Sequence, residues 1–243
     1  MLKYISSSVC MKKVVIFWFV VLLLASCSDD DEVSKSLTAY DESVITYFNE
    51  IALGFELGGA NEVTRKWVSD MKIFVGGTKT PEMMNELQRV VNELNELATD
   101  GFTMSLVTDT IQSNYYIFLG SGADYAEKFP SQAALVDDNW GLFSVYWDTS
   151  DQIYKGNMYV DITRANLSES KHLLREELTQ SLGLAKDSAL YPASIFQQSW
   201  TATTEFTSID RDIIKLLYHP QMQVGLNEAQ TEELLRQIIL SEK

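Results

Sequence analysis

One helix restricts the fold more than any other feature. The stretch HLLREELTQSLGLAKDS runs from His172 to Ser188. On a helical wheel, Leu174, Leu178 and Leu182 share an apolar stripe that should face a core. His172, Glu176 and Gln180 are also four apart and stack on a second face. Glu177 lies between the two. Such a helix buries one side and opens the other on solvent or a cleft. Gly183 is placed to end it, and Ser168 is predicted to cap its start.

The rest of the chain supplies a sheet for this helix to cover. Tyr40, Val44, Tyr47, Phe48 and Ile51 fall at helical spacing within residues 34–53. Residues 67–75 alternate, with Met71, Ile73 and Val75 on one side, and read as a strand ending at Gly76-Gly77. Thr80-Pro81-Glu82 opens a helix through Leu97, because proline lacks only an N–H that the first turn does not use. Phe102 to Val107 alternates again, and Tyr115 to Leu119 reads as a buried strand. Phe143 to Trp147 and Met158 to Ile162 are two further strands. After the motif helix come an irregular stretch, a helix from Ile209 to Tyr218, and a last helix opened by a capping box, Asn227 to Gln230.

The first residues read as a leader. Met11 fits as the start, Lys12 and Lys13 form a basic n-region, and Val14 to Leu24 is an apolar run too short for a comfortable membrane span. Leu24-Ala25-Ser26-Cys27 resembles the lipobox of bacterial lipoproteins, which implies lipidation of Cys27 and membrane attachment through that anchor. Ser28-Asp29-Asp30-Asp31-Glu32 is similar to the export signal of some Bacteroidetes surface lipoproteins. The expected location is therefore the cell envelope, on the outer membrane and exposed at its surface. Cys10 and Cys27 are the only cysteines, so the folded part has none for disulfides, thiolate catalysis or metal. The leader holds three lysines and no acids, so its removal takes the net charge from -15 to -18. A surface this acidic repels phosphate backbones, and nucleic acid is not an expected partner.

Glu176-Glu177-x-x-Gln180-x-x-Gly183-x-x-Lys186 resembles the active-site helix of a zincin, in which the pattern is HExxHxxGxxH. Asp187 follows the third-ligand position. Ser194-Ile195-Phe196 resembles a Met-turn with phenylalanine in place of methionine, and Phe206-Thr207-Ser208-Ile209-Asp210 with Leu216-Leu217-Tyr218 is similar to the segment that closes metzincin domains. A second resemblance is to a bacterial family of secreted proteins and lipoproteins of unknown function, which carries Glu-Glu-Leu-Thr-Gln-x-Leu-Gly, then Ser-Ile-Phe, then Leu-Tyr-x-Pro. These resemblances imply an α+β, zincin-like (metzincin-like) fold: a mixed, twisted sheet with two long helices and a small helical C-terminal subdomain. Residues 1–26 would be the signal, 27–36 a tether, and 37–243 the domain. Within it, 37–188 would hold the active-site-like helix (169–183), and 189–243 the C-terminal part.

The chemistry of the motif departs from the resemblance. The positions of the three zinc ligands hold Glu176, Gln180 and Lys186. An ammonium cannot ligate while protonated, and an amide oxygen is a poor zinc donor. No cofactor is expected. The oxygens of Glu176, Gln180 and Asp187 would instead suit a harder divalent ion such as calcium or magnesium. Glu177 is the candidate general base for a hydrolase with such a metal or none. Against catalysis stands a structural role, in which Glu177 and Gln180 bond to the turn at Ser194 to Phe196. His172 reads as a packed or exposed histidine, and Arg175 as a surface charge. Trp140, Tyr146, Trp147, Phe196 and Trp200 are expected in the core or at the rim of a groove for a peptide, protein or glycan. The expected function is an envelope lipoprotein with a protease-like domain that lacks the zinc histidines and binds without turnover. The alternative is an active hydrolase.

Overall fold

The structure, a computed structural model, describes residues 35–56 and 59–243. The signal segment, Cys27 and tether residues 28–34 lie outside the described residues. Among the described residues, twelve α-helices and β-strands follow in order: α1 (Ala39–Ala52), β1 (Lys66–Trp67), β2 (Met71–Gly77), α2 (Pro81–Leu97), β3 (Met104–Val107), β4 (Tyr115–Gly120), α3 (Gly122–Lys128), β5 (Gly141–Trp147), β6 (Gln152–Asp161), α4 (Leu167–Gln180), α5 (Ser208–Leu217) and α6 (Glu228–Ser241). Among the described residues, no helix is long and apolar enough to cross a membrane.

The sheet is mostly parallel. Its order is β3-β2-β4-β6-β5, and β1 pairs with the first residues of β6 on the side away from β5. β5 alone is antiparallel, and it forms one edge. β4 reads as a near-continuous apolar run because both its faces are largely covered, whereas β2 and β3 alternate and leave Lys72 and Ser105 exposed on their second face. Ile73, Val75, Ile117, Leu119, Met158 and Val160 join the main core, into which α2 and α4 also pack. The alternate residues, among them Phe118 and Tyr159, meet α3 through Tyr125 on the other face.

Thr80 caps α2 by accepting from the Met83 N–H, and Pro81 occupies its first turn. Its buried stripe includes Leu87, Val91 and Leu94. α1 packs on α5 and α6, where the Arg236 guanidinium makes a two-pronged ion pair with Glu42 at 2.6 and 2.7 Å. One hydrophobic core therefore runs from α1 through the sheet to α6.

Some elements differ from expectation. The cap of α4 is Asn166, not Ser168. The Asn166 side chain accepts from Ser168 and Glu169, and Glu169 bonds back to the Asn166 N–H. An amide two residues earlier completes a reciprocal box, which a serine inside the first turn cannot do. α3 was not anticipated. It is seven residues long with a glycine first, too short to show a period.

Candidate functional site

α4 is anchored at both ends. Before it, the buried Asp161 carboxylate accepts from the N–H groups of Gly122, Thr163 and Arg164, from the Thr163 hydroxyl, and from the Arg164 guanidinium. Burial opposes this charge, but the donors outweigh it and hold the Asp161 pKa below its ordinary value. After it, Gly183 turns the chain at φ +116°, where a Cβ would lie 1.9 Å from the Arg65 carbonyl oxygen. Only glycine fits both demands. The last carbonyls are satisfied from outside the helix: Trp67 Nε1 donates to Ser181 at 2.9 Å, and the Tyr218 hydroxyl to Leu182 at 2.9 Å. Leu174, Leu178 and Leu182 are fully buried, as their stripe demands, which is worth roughly 2 kcal/mol each.

Arg175 corrects the surface-charge expectation. Its side chain is wholly buried and reaches α2, with Nη1 2.5 Å from Glu93 and Nη2 3.4 Å from Glu86. Its guanidinium also lies over the Phe206 ring, 4.4 Å from the centroid. An arginine can sit there because two acids converge on it.

The polar face of α4 opens on a cleft of about 970 Å³. β5 forms one wall, and the segment from Ala185 to Thr201 closes the other side. Glu176, Glu177, Gln180 and Asp187, all singled out from sequence, line it together. His172 is buried, with Nδ1 2.7 Å from the Thr203 carbonyl and Nε2 3.2 Å from Glu176. Burial works against its proton, but Glu176 and Thr203 outweigh that, so its pKa is raised. Gln180 Nε2 donates to Asp187 Oδ1 at 2.6 Å. Burial first, then Glu176 and Glu56, push the Asp187 carboxyl up to about 7. Glu177 is only 9% exposed and makes no hydrogen bond or ion pair with any described residue. Burial first, then Glu176, Asp187 and Glu56, raise its pKa well above the ordinary carboxylate value. Trp140, Trp147 and Trp200 stand at the rim, whereas Phe196 is core and Tyr146 points away from the cleft.

The expected bonds from Glu177 and Gln180 to the Ser194 turn are not made. Asp210 holds that turn instead. It accepts from Ser194 Oγ at 2.5 Å and from the Ile195 N–H at 3.2 Å, and it caps α5 through Thr207. Ser194, Ile195 and Phe196 are completely buried, and the Tyr47 hydroxyl of α1 shares a hydrogen bond with Ser194 Oγ. The turn is thus a packed support beside the cleft, which frees the acids of α4 to face the cavity.

The donor set does not fit a zincin zinc. Glu176 is engaged by His172 and Gln180 by Asp187, while Lys186 turns away to pair with Glu62 at 3.0 Å. Among the described residues, no group of three or more histidine, aspartate or glutamate side chains is arranged to hold a metal ion. Sequence reasoning missed Glu56, which lines the cleft from the far side of the chain, and Gly141. A Cβ at Gly141 would lie 2.6 Å from Glu177 Oε1, so the strand makes room for that carboxyl. A lone glycine starting an apolar run was the only available signal.

An α/β protein with a mostly parallel sheet and an acidic cleft at its antiparallel edge is the class that fold and site define. The chain belongs to a family described as protein of unknown function (DUF2927), whose family model matches residues 29–237. Among curated proteins, none matches it.

Proposed function

We propose that the protein is an envelope-anchored binding module, built on a zincin-like frame without the zinc histidines, that holds an extended peptide segment in the cleft between β5 and α4. The observation that carries this reading is the open edge of β5. The Trp140 carbonyl accepts from the Asp161 N–H at 2.7 Å. In an antiparallel pair, bonding then alternates, so Leu142 and Ser144 bond to β6. Gly141, Phe143 and Val145 turn their N–H and C=O groups outward, toward the cleft that these residues line. An unpaired strand edge is a template for a further strand, and alternate side chains of that strand would reach the floor at Glu177. The edge strand, the motif helix below it and the turn at Ser194 to Phe196 together support the protease-like frame. The lipid anchor on Cys27 would tether the module to the outer membrane.

The second reading is a hydrolase in which Glu177 acts as base. Its unpartnered carboxyl at the cavity favours chemistry. A base must be ionised, however, and burial among three other carboxylates favours the protonated form. Binding therefore stands ahead of turnover.

Fluorescence anisotropy with labelled heptapeptides tests the binding reading. N-methylation of every second residue should weaken binding about tenfold in one register and little in the other, because only one register aims its N–H groups at β5. Equal affinities in both registers would contradict strand addition. For the hydrolase, a fluorogenic peptide pool should give the same background rate with wild type and Glu177→Gln. A rate lost in the variant would establish the base role.

A further inference from the structure

We infer that the floor of this cleft is a cation subsite, shaped for the ammonium or guanidinium group of a lysine or arginine side chain on the bound segment. The inference rests on the peptide-cleft reading above. Glu56, Glu176, Glu177 and Asp187 all line the cavity. Glu176 has a partner in His172, and Asp187 receives the Gln180 amide. Glu177 has no partner among the described residues, although nine-tenths of it is removed from solvent. Its carboxylate oxygens are not sealed off but open on the cavity, where no donor among the described residues meets them. Lys186 is six residues beyond Gln180, yet its Nζ faces Glu62 instead of this floor. An occupant of the cleft that brings a donor would therefore find Glu177 without a partner among the described residues.

Charge selects which donor. A neutral N–H would meet Glu177 alone, whereas a cation lets Glu177 give up to solvent the proton that burial favours and also offsets the surrounding carboxylates. Gly141 keeps the path to Glu177 open, because any side chain there would meet Oε1. At the mouth, Trp140 and Trp200 pack edge to face, 5.6 Å between centroids. Their ring surfaces suit the methylene stem of a long basic side chain, as well as a passing cation. A lysine or arginine on the added strand would therefore lay its stem against the tryptophans and place its donors on Glu177.

The test is anisotropy of the full chain with four pools of labelled heptapeptides. The central residue is fixed as lysine, arginine, norleucine or glutamate, and the other positions are mixed. The lysine and arginine pools should bind about tenfold more tightly than the norleucine pool, and the glutamate pool more weakly still. Glu177→Gln should bring lysine and norleucine within about twofold, with norleucine binding retained. Asp187→Asn should reduce the same ratio and serves if the first variant does not fold. Equal binding of lysine and norleucine by wild type, or an unchanged ratio in the variants, overturns the cation subsite and leaves the peptide cleft standing. Failure of every pool to bind overturns the cleft reading and this inference with it.

Discussion

Replacing Asp187 by asparagine should stabilise the protein above neutral pH and do little near pH 4. Asp187 sits on the cleft floor with its pKa moved from 3.8 to about 7, first by burial and then by Glu176 and Glu56. The sign follows from proton linkage. Unfolded, the group ionises near its ordinary value; folded, it keeps its proton to about 7. Between those values the folded state binds more protons, so wild-type stability falls as pH rises through this window and stays reduced above it. The move corresponds to roughly 4 kcal/mol at 1.36 kcal/mol per pKa unit. The side chain keeps some solvent contact, and screening reduces the figure to about 2 kcal/mol. Asparagine removes the charge and still accepts from Gln180 Nε2 through its Oδ1. For a domain of this size, about 2 kcal/mol is roughly 4–8 °C in Tm. Thermal unfolding followed by circular dichroism, for wild type and Asp187→Asn from pH 4 to pH 8.5, should show curves that nearly coincide at pH 4 and separate by that amount at pH 8.5. A gap that does not change with pH, or a variant less stable than wild type at pH 8.5, would refute the reasoning.

Three further perturbations probe the supports of the cleft. Arg175→Met leaves Glu86 and Glu93 to Arg89 alone, which pairs with Glu86 at 2.8 Å and lies 3.8 Å from Glu93, and should cost about 3 kcal/mol in guanidinium unfolding, the low end for a broken buried pair. Asp210→Ala removes the acceptor for Ser194, Ile195 and Thr207 together, and should cost about 3 kcal/mol by the same assay, because the loss combines a helix cap with buried donors left unpaired. Gly183→Ala forces a Cβ against the Arg65 carbonyl at a positive φ, and should cost at least about 2 kcal/mol. No loss in any one of these would show that its contact is not holding the fold.

Local signals were legible where one residue type decides the backbone. Thr80-Pro81 placed α2 to the residue, and the Asn227 to Gln230 box placed α6. Val75 was legible as a strand interior from alternation and Ile117 from a continuous apolar run, and both are buried. The cleft floor was also legible, because residues four apart on one helix must share a face whatever surrounds them. What escaped was set by partners distant in sequence. Arg175 resembles a surface arginine until Glu86 and Glu93, more than eighty residues earlier, are brought beside it. α4 is also buried along Arg175 and Thr179, a side that its wheel did not mark as core. Asp210 reads as a capping residue, and its second duty at the Ser194 turn depends on tertiary contact alone. Glu177 was legible as a candidate, but its isolation from donors was not, since only coordinates reveal which neighbours are missing.

Hydrogen–deuterium exchange along β5 tests the central claim most directly. If a strand adds to the open edge, the lysine-centred heptapeptide pool should slow exchange of the outward amides at Gly141, Phe143 and Val145, and leave Leu142 and Ser144, already bonded to β6, unchanged. Exchange that is unaltered across 141–147 at saturating peptide, or slowed only at some remote segment, would contradict the account.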